Sequence, residues 1–76
     1  MAKVILYTQD GCGPCLQQKA WFLEKGVEFE ERNITRKPEY VDVLLNAGAR
    51  STPVTFVDDE MVIGFDREKL SNLLEL

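Results

Sequence analysis

The chain has 76 residues, with 9 basic against 13 acidic side chains and a formal net charge of −4. That length holds one small domain, residues 1–76, whose folded surface of roughly 4,700 Å² against ~12,600 Å² unfolded buries only about 60%. Histidine is absent, which excludes imidazole triads and two-histidine metal motifs. The acidic balance argues against nucleic acid, since phosphate contact wants a basic face.

Two cysteines are too few for a disulfide framework, so the core must be ordinary apolar packing. The apolar run after Lys3 is too short for a signal peptide or a membrane span. A soluble cytoplasmic domain, monomeric and without membrane attachment, is expected.

Val4-Ile5-Leu6-Tyr7 is a continuous apolar run rich in β-formers, which predicts a strand covered on both faces. Asp10-Gly11 marks a turn. From Cys15 the period becomes helical, with Leu16, Ala20 and Leu23 on the expected buried side and Gln17, Gln18, Glu24 and Lys25 opposite. Gly26 supplies the stop. Val27 to Ile34 alternates in part, and its outward charges suit an edge strand.

Pro38 opens a second helix in its first turn. Tyr40, Val41, Leu44 and Ala47 form its expected buried stripe, and Gly48 ends it. Val54-Thr55-Phe56-Val57 and Met61-Val62-Ile63 flank Asp58-Asp59-Glu60, which reads as a β-hairpin. Asp66 caps a last helix with apolar positions Leu70, Leu73 and Leu74. The predicted order is β-α-β-α-β-β-α.

The chemistry lies in Cys12-Gly13-Pro14-Cys15. A strand hands over to a helix there, which places Cys12 at the helix N-terminus. Free N–H groups and the helix dipole at that position favour a thiolate, the nucleophilic form. Asp10, two residues away, pushes the other way by like-charge repulsion. Cys15 lies within the first turn and can reach back to a mixed disulfide on Cys12. Pro14 fits a first turn, and Gly13 leaves room beside the sulfur. Half a zinc site and an inert buried pair are the competing readings of C-x-x-C. The chain has no third cysteine and no histidine to complete a metal site. In a βαβ context the redox reading is the stronger one.

The element order, Cys12-Gly13-Pro14-Cys15 and Ser51-Thr52-Pro53 together resemble a glutaredoxin of the thioredoxin fold, from Lys3 to Leu74. The resemblance implies a four-stranded mixed sheet of order 2-1-3-4 flanked by three helices. It implies thiol–disulfide exchange in which Cys12 attacks and Cys15 resolves. Pro53 would be a cis-proline facing them, and the Thr52 backbone would pair with a substrate segment. Gly64, Phe65 and Asp66 would complete the substrate-binding surface, and no metal or organic cofactor is needed. Without the resemblance Pro53 reads as a strand-start proline.

Glutathione-using members usually carry C-P-Y-C, a lysine three residues before the first cysteine, and a Gly-Gly pair after the last strand. Here Gln9 stands at the lysine position, and Ile63-Gly64 replaces the pair. Gly64-Phe65 is similar to the NrdH-redoxin branch, whose members are reduced by thioredoxin reductase and donate electrons to ribonucleotide reductase. The expected partners are therefore a disulfide-containing protein and a thioredoxin-reductase-type flavoenzyme, with glutathione the alternative reductant and cosubstrate. A non-catalytic module, or a dimer handling metal through the two thiols, is the alternative of another class.

Other residues carry two readings each. Arg50 either holds a substrate carboxylate or is a solvated loop arginine, and Lys37 has the same ambiguity. Trp21 either packs against the last helix or meets a partner. Tyr7 ends its strand near the motif, as packing or as part of the site.

Overall fold

The computed structural model describes residues 2–76. The elements are β1 (Val4–Thr8), α1 (Gly13–Glu24), β2 (Glu30–Asn33), α2 (Glu39–Asn46), β3 (Val54–Val57), β4 (Glu60–Ile63) and α3 (Arg67–Leu74). They form a four-stranded sheet of order β2-β1-β3-β4. β1 runs parallel to β2, with Leu6 opposite Glu31, and antiparallel to β3, with Leu6 opposite Thr55. β3 and β4 form the antiparallel hairpin.

Alternation along the central strand divides the core in two. Val4 and Leu6 meet Phe22 of α1 and Leu70 of α3, together with Val57 and Val62. Tyr7 faces the other way, onto Leu44 of α2, Ala49 and Val54. A strand sandwiched in this manner must be apolar on both sides, which is why β1 is a continuous hydrophobic run.

The hydrophobic stripe read for α1 is overturned. Leu16 and Leu23 are 63% and 72% exposed, while Cys15, Gln18 and Phe22 are buried. The helix meets the sheet through one large aromatic, Phe22, and the burial of that side chain sets the rotation of the whole helix. Ala47, the C-cap of α2, is likewise exposed, and Ala49 beyond it is buried instead.

Boundaries shift modestly. β2 begins only at Glu30. Pro38 is the N-cap of α2 rather than its first helical residue. The hairpin turn is Asp58-Asp59, and Glu60 already belongs to β4. Asp58 accepts a bond from the Lys3 amide at 2.9 Å and returns its own N–H to the Lys3 carbonyl at 2.9 Å.

Trp21 is half-buried, its ring 5.8 Å from both Phe22 and Phe65, so it packs ahead of α3. Tyr7 is buried between Tyr40 and Phe56, and its hydroxyl accepts from Arg32 Nη1 at 2.8 Å. Both are structural residues. Among the described residues no helix is long and apolar enough to cross a membrane.

Candidate active site

β1 delivers the chain to a turn at Gly11, whose φ of +74° suits a residue without a Cβ. Cys12 follows in extended conformation as the N-cap of α1, with Gly13 and Pro14 opening the helix. The Cys12 sulfur itself does the capping, accepting the Cys15 N–H at 3.2 Å. A thiolate at that atom would gain both this donor and the positive end of the helix dipole. A Cβ at Gly13 would meet no atom of the chain, so internal packing does not require that glycine.

Cys12 and Cys15 are joined by a disulfide, so the structure holds the oxidised form. Cys12 is 8% exposed and Cys15 only 1%. The more exposed of the two cysteines is therefore the one at the helix terminus.

The Thr52–Pro53 peptide bond is cis. The Thr52 hydroxyl donates to Cys12 Sγ at 3.6 Å, and the Thr52 carbonyl oxygen lies 3.8 Å from the same atom. Pro53 is buried, and its carbonyl accepts from Gly64 N–H at 2.8 Å, which ties the turn after β4 to the proline loop. Asp66 caps α3 by accepting from Lys69 N–H at 3.1 Å, and its side chain is thereby committed to the helix. Phe65 is half-buried against Trp21, with the Arg67 guanidinium 5.4 Å from its ring centroid. Arg50 is exposed in a cleft of about 80 Å³ that Gln9, Ser51 and Thr52 also line. The fold thus brings Cys12, Cys15, Thr52 and Pro53 together, with Gly64 attached, and leaves Arg50 at the margin.

Sequence reasoning missed a polar layer between the sheet and α1. Thr8, Gln18 and Thr55 are buried. Gln18 Nε2 donates to Thr55 Oγ1, and Gln18 Oε1 is buried without a partner. Thr8 donates to Glu31 at 2.7 Å, and Lys19 Nζ contacts Glu31 at 3.0 Å. Burial pushes the Glu31 carboxyl up, but the Thr8 and Lys19 bonds together outweigh it and hold it below its ordinary range. Only one signal pointed there: threonines inside otherwise apolar strands. Cys15, Lys19, Glu31, Asp10, Arg36 and Lys37 are among the residues that line a groove of about 510 Å³. Among the described residues no three histidine, cysteine, aspartate or glutamate side chains gather as a metal site.

A helix-capping dithiol set against a cis-proline loop on this sheet defines a thiol–disulfide oxidoreductase of the thioredoxin fold. The family model described as Glutaredoxin matches residues 4–62. The glutaredoxin-like protein NrdH of Lactococcus lactis is 34% identical over 70 residues, covering 92% of this chain and 97% of that protein. The NrdH-redoxin structure from Escherichia coli superposes with a TM-score of 0.86 at 30% identity, covering 93% of each chain. A glutaredoxin structure from Archaeoglobus fulgidus gives 0.82 at 29% identity, over 100% of this chain and 89% of its own. The chain belongs to the glutaredoxin family.

Proposed function

We propose that the chain is an NrdH-type redoxin, reduced by a thioredoxin-reductase-type flavoenzyme and reducing a protein disulfide such as that of ribonucleotide reductase. It works as a monomer in the cytoplasm and needs no cofactor beyond its two thiols. In the reduced form the Cys12 thiolate attacks a substrate disulfide and forms a mixed disulfide. Cys15 then attacks Cys12 Sγ, releasing the substrate thiolate and leaving the Cys12–Cys15 disulfide. The greater exposure of Cys12 than of Cys15 supports this division of labour. Thr52, which reaches the Cys12 sulfur, would form with Pro53, Gly64, Phe65, Asp66 and Arg50 the docking surface for an extended substrate segment.

The observation that carries the choice of reductant is the surroundings of Cys12. Glutathione is a small anion and needs cationic or helix-end partners. Gln9 occupies the place where glutathione-using relatives carry lysine. Ile63, 50% exposed, adds bulk ahead of Gly64. Asp66 spends its carboxylate on Lys69 N–H. Among the described residues lining the cleft beside Thr52, Arg50 is the one cation, and it favours the glutathione reading. The test reduces the oxidised protein with NADPH and thioredoxin reductase, or with NADPH, glutathione and glutathione reductase. Fast turnover is expected in the first system; turnover in the second alone makes the protein a glutathione-dependent glutaredoxin.

A further inference from the structure

The resolving step demands a thiolate at Cys15, yet Cys15 is 1% exposed, and burial disfavours the charged form of a thiol. Beyond the field of the helix terminus, the groove that Cys15 lines is where a compensating charge can stand. The titratable side chains facing that groove are Lys19 of α1, Glu31 of β2, Asp10, Arg36 and Lys37 of the loops, and Tyr40 of α2. Arg36 leans towards Asp10 at 3.9 Å, and Lys37 stands 6.0 Å from the Tyr40 ring centroid.

Lys19 is placed differently. It follows Cys15 by four residues on the same helix, one turn along the same face, where Cβ atoms stand ~5–6 Å apart. Its ammonium is anchored on Glu31 at 3.0 Å, and Glu31 is anchored in turn by the buried Thr8 hydroxyl at 2.7 Å. The ion pair ties the lysine, whose side chain is 32% exposed, to Glu31 among the residues that line the groove. None of Lys19, Glu31 and Thr8 is among the hydrogen-bond partners of the Cys12 sulfur, which are Cys15 N–H and Thr52.

We propose that Lys19, held in the groove by Glu31 and Thr8, is the counter-charge that lets the buried Cys15 thiol ionise for the resolving attack. The inference rests on the reading of Cys15 as the resolving thiol. The Cys15 proton leaves to water in the groove, and the electron pair left on sulfur attacks Cys12 Sγ. That bond forms as the mixed disulfide breaks and the substrate leaves as its thiolate. Lys19 is a positioning residue, since it acts through Cys15 and not on the substrate.

Reaction of the reduced protein with the neutral chromogen dithiodipyridine separates the two steps. The first thiopyridone reports attack by Cys12, and the second reports resolution by Cys15. In Lys19→Met the first release should keep its rate and pH profile. The second should slow about tenfold near neutral pH, with its midpoint about one unit higher. It should converge on the parent rate above pH ~10, where the thiol ionises unaided. Lys19→Arg should restore the parent profile, and Lys19→Gln replaces Lys19→Met should the latter not fold. A superimposable second phase, or slowing by the same factor at every pH, overturns the proposal. A second release that persists in Cys15→Ser instead overturns the resolving role itself, whatever Lys19 does.

Discussion

The Thr52 hydroxyl donates to the Cys12 sulfur at 3.6 Å although the two residues stand forty positions apart in the chain. Together with the Cys15 N–H at 3.2 Å, it gives the sulfur two donors from separate elements. Donors to an ionised sulfur lower its pKa. Thr52→Val should therefore raise the Cys12 midpoint by up to about one unit, since a single hydrogen bond contributes about 1 kcal/mol. The pH dependence of alkylation in Cys15→Ser and in Cys15→Ser/Thr52→Val measures the difference. An unchanged midpoint means the hydroxyl turns elsewhere in the reduced protein.

The two cysteines should fail differently. Cys12→Ser should abolish disulfide reduction. Cys15→Ser should still attack but stall as a mixed disulfide, because the cysteine at the helix terminus is also the more exposed one. Mass spectrometry after incubation with a disulfide peptide decides: an adduct on Cys12→Ser alone would reverse the assignment.

Gln18 is buried with one amide atom unpartnered, and exchanging its oxygen and nitrogen would only move the deficit. Gln18→Leu alone should strand the Thr55 hydroxyl, at a cost of about 1–3 kcal/mol for a buried unpaired group. Gln18→Leu/Thr55→Val removes both polar groups and should recover most of that loss. Thermal unfolding of the single and double variants tests it, and a double variant no more stable than Gln18→Leu refutes it.

Glu31 confers an acid-side dependence. Its folded carboxyl lies below its ordinary value of 4.5, so its contribution is complete above that value and disappears as pH falls through the folded one. The side chain is 32% exposed, which limits the effect to at most about 1 kcal/mol. Glu31→Gln should be less stable than the parent at pH 7 and converge with it as the pH falls below 4.5 and through the folded carboxyl's own lower value. Denaturant midpoints against pH measure the convergence.

The rotation of α1 makes a sharp contrast between neighbours. Phe22→Ala should cost about 3–5 kcal/mol and largely unfold so small a domain. Leu23→Glu should change stability by no more than about 0.5 kcal/mol, because that side chain is 72% exposed. Circular dichroism melts of the two variants suffice. A large loss at Leu23 would mean that this face of the helix is covered in solution.

Local rules made much of the protein legible. The apolar, β-former-rich run of β1, Gly26 after α1, Asp66 before α3 and the paired runs of the hairpin each announce an element through local pattern alone. Cys12-Gly13-Pro14-Cys15 at a strand-to-helix junction also discloses its chemistry, because the helix terminus that activates a thiol is itself a local feature. The sheet order and the cis bond before Pro53 came through family resemblance, since periodicity carries no information about which strands become neighbours.

What only the tertiary structure decided is which side of α1 meets the sheet. Leu16, Ala20 and Leu23 have the spacing of a buried stripe, yet burying Phe22 turns them to solvent and carries Gln18 inward to Thr55. The same rotation sets Cys15 and Lys19 along the groove where β2 presents Glu31. Spacing along a helix fixes which residues share a face. Which face is buried depends on the partner surface, and that surface is assembled from strands distant in the chain.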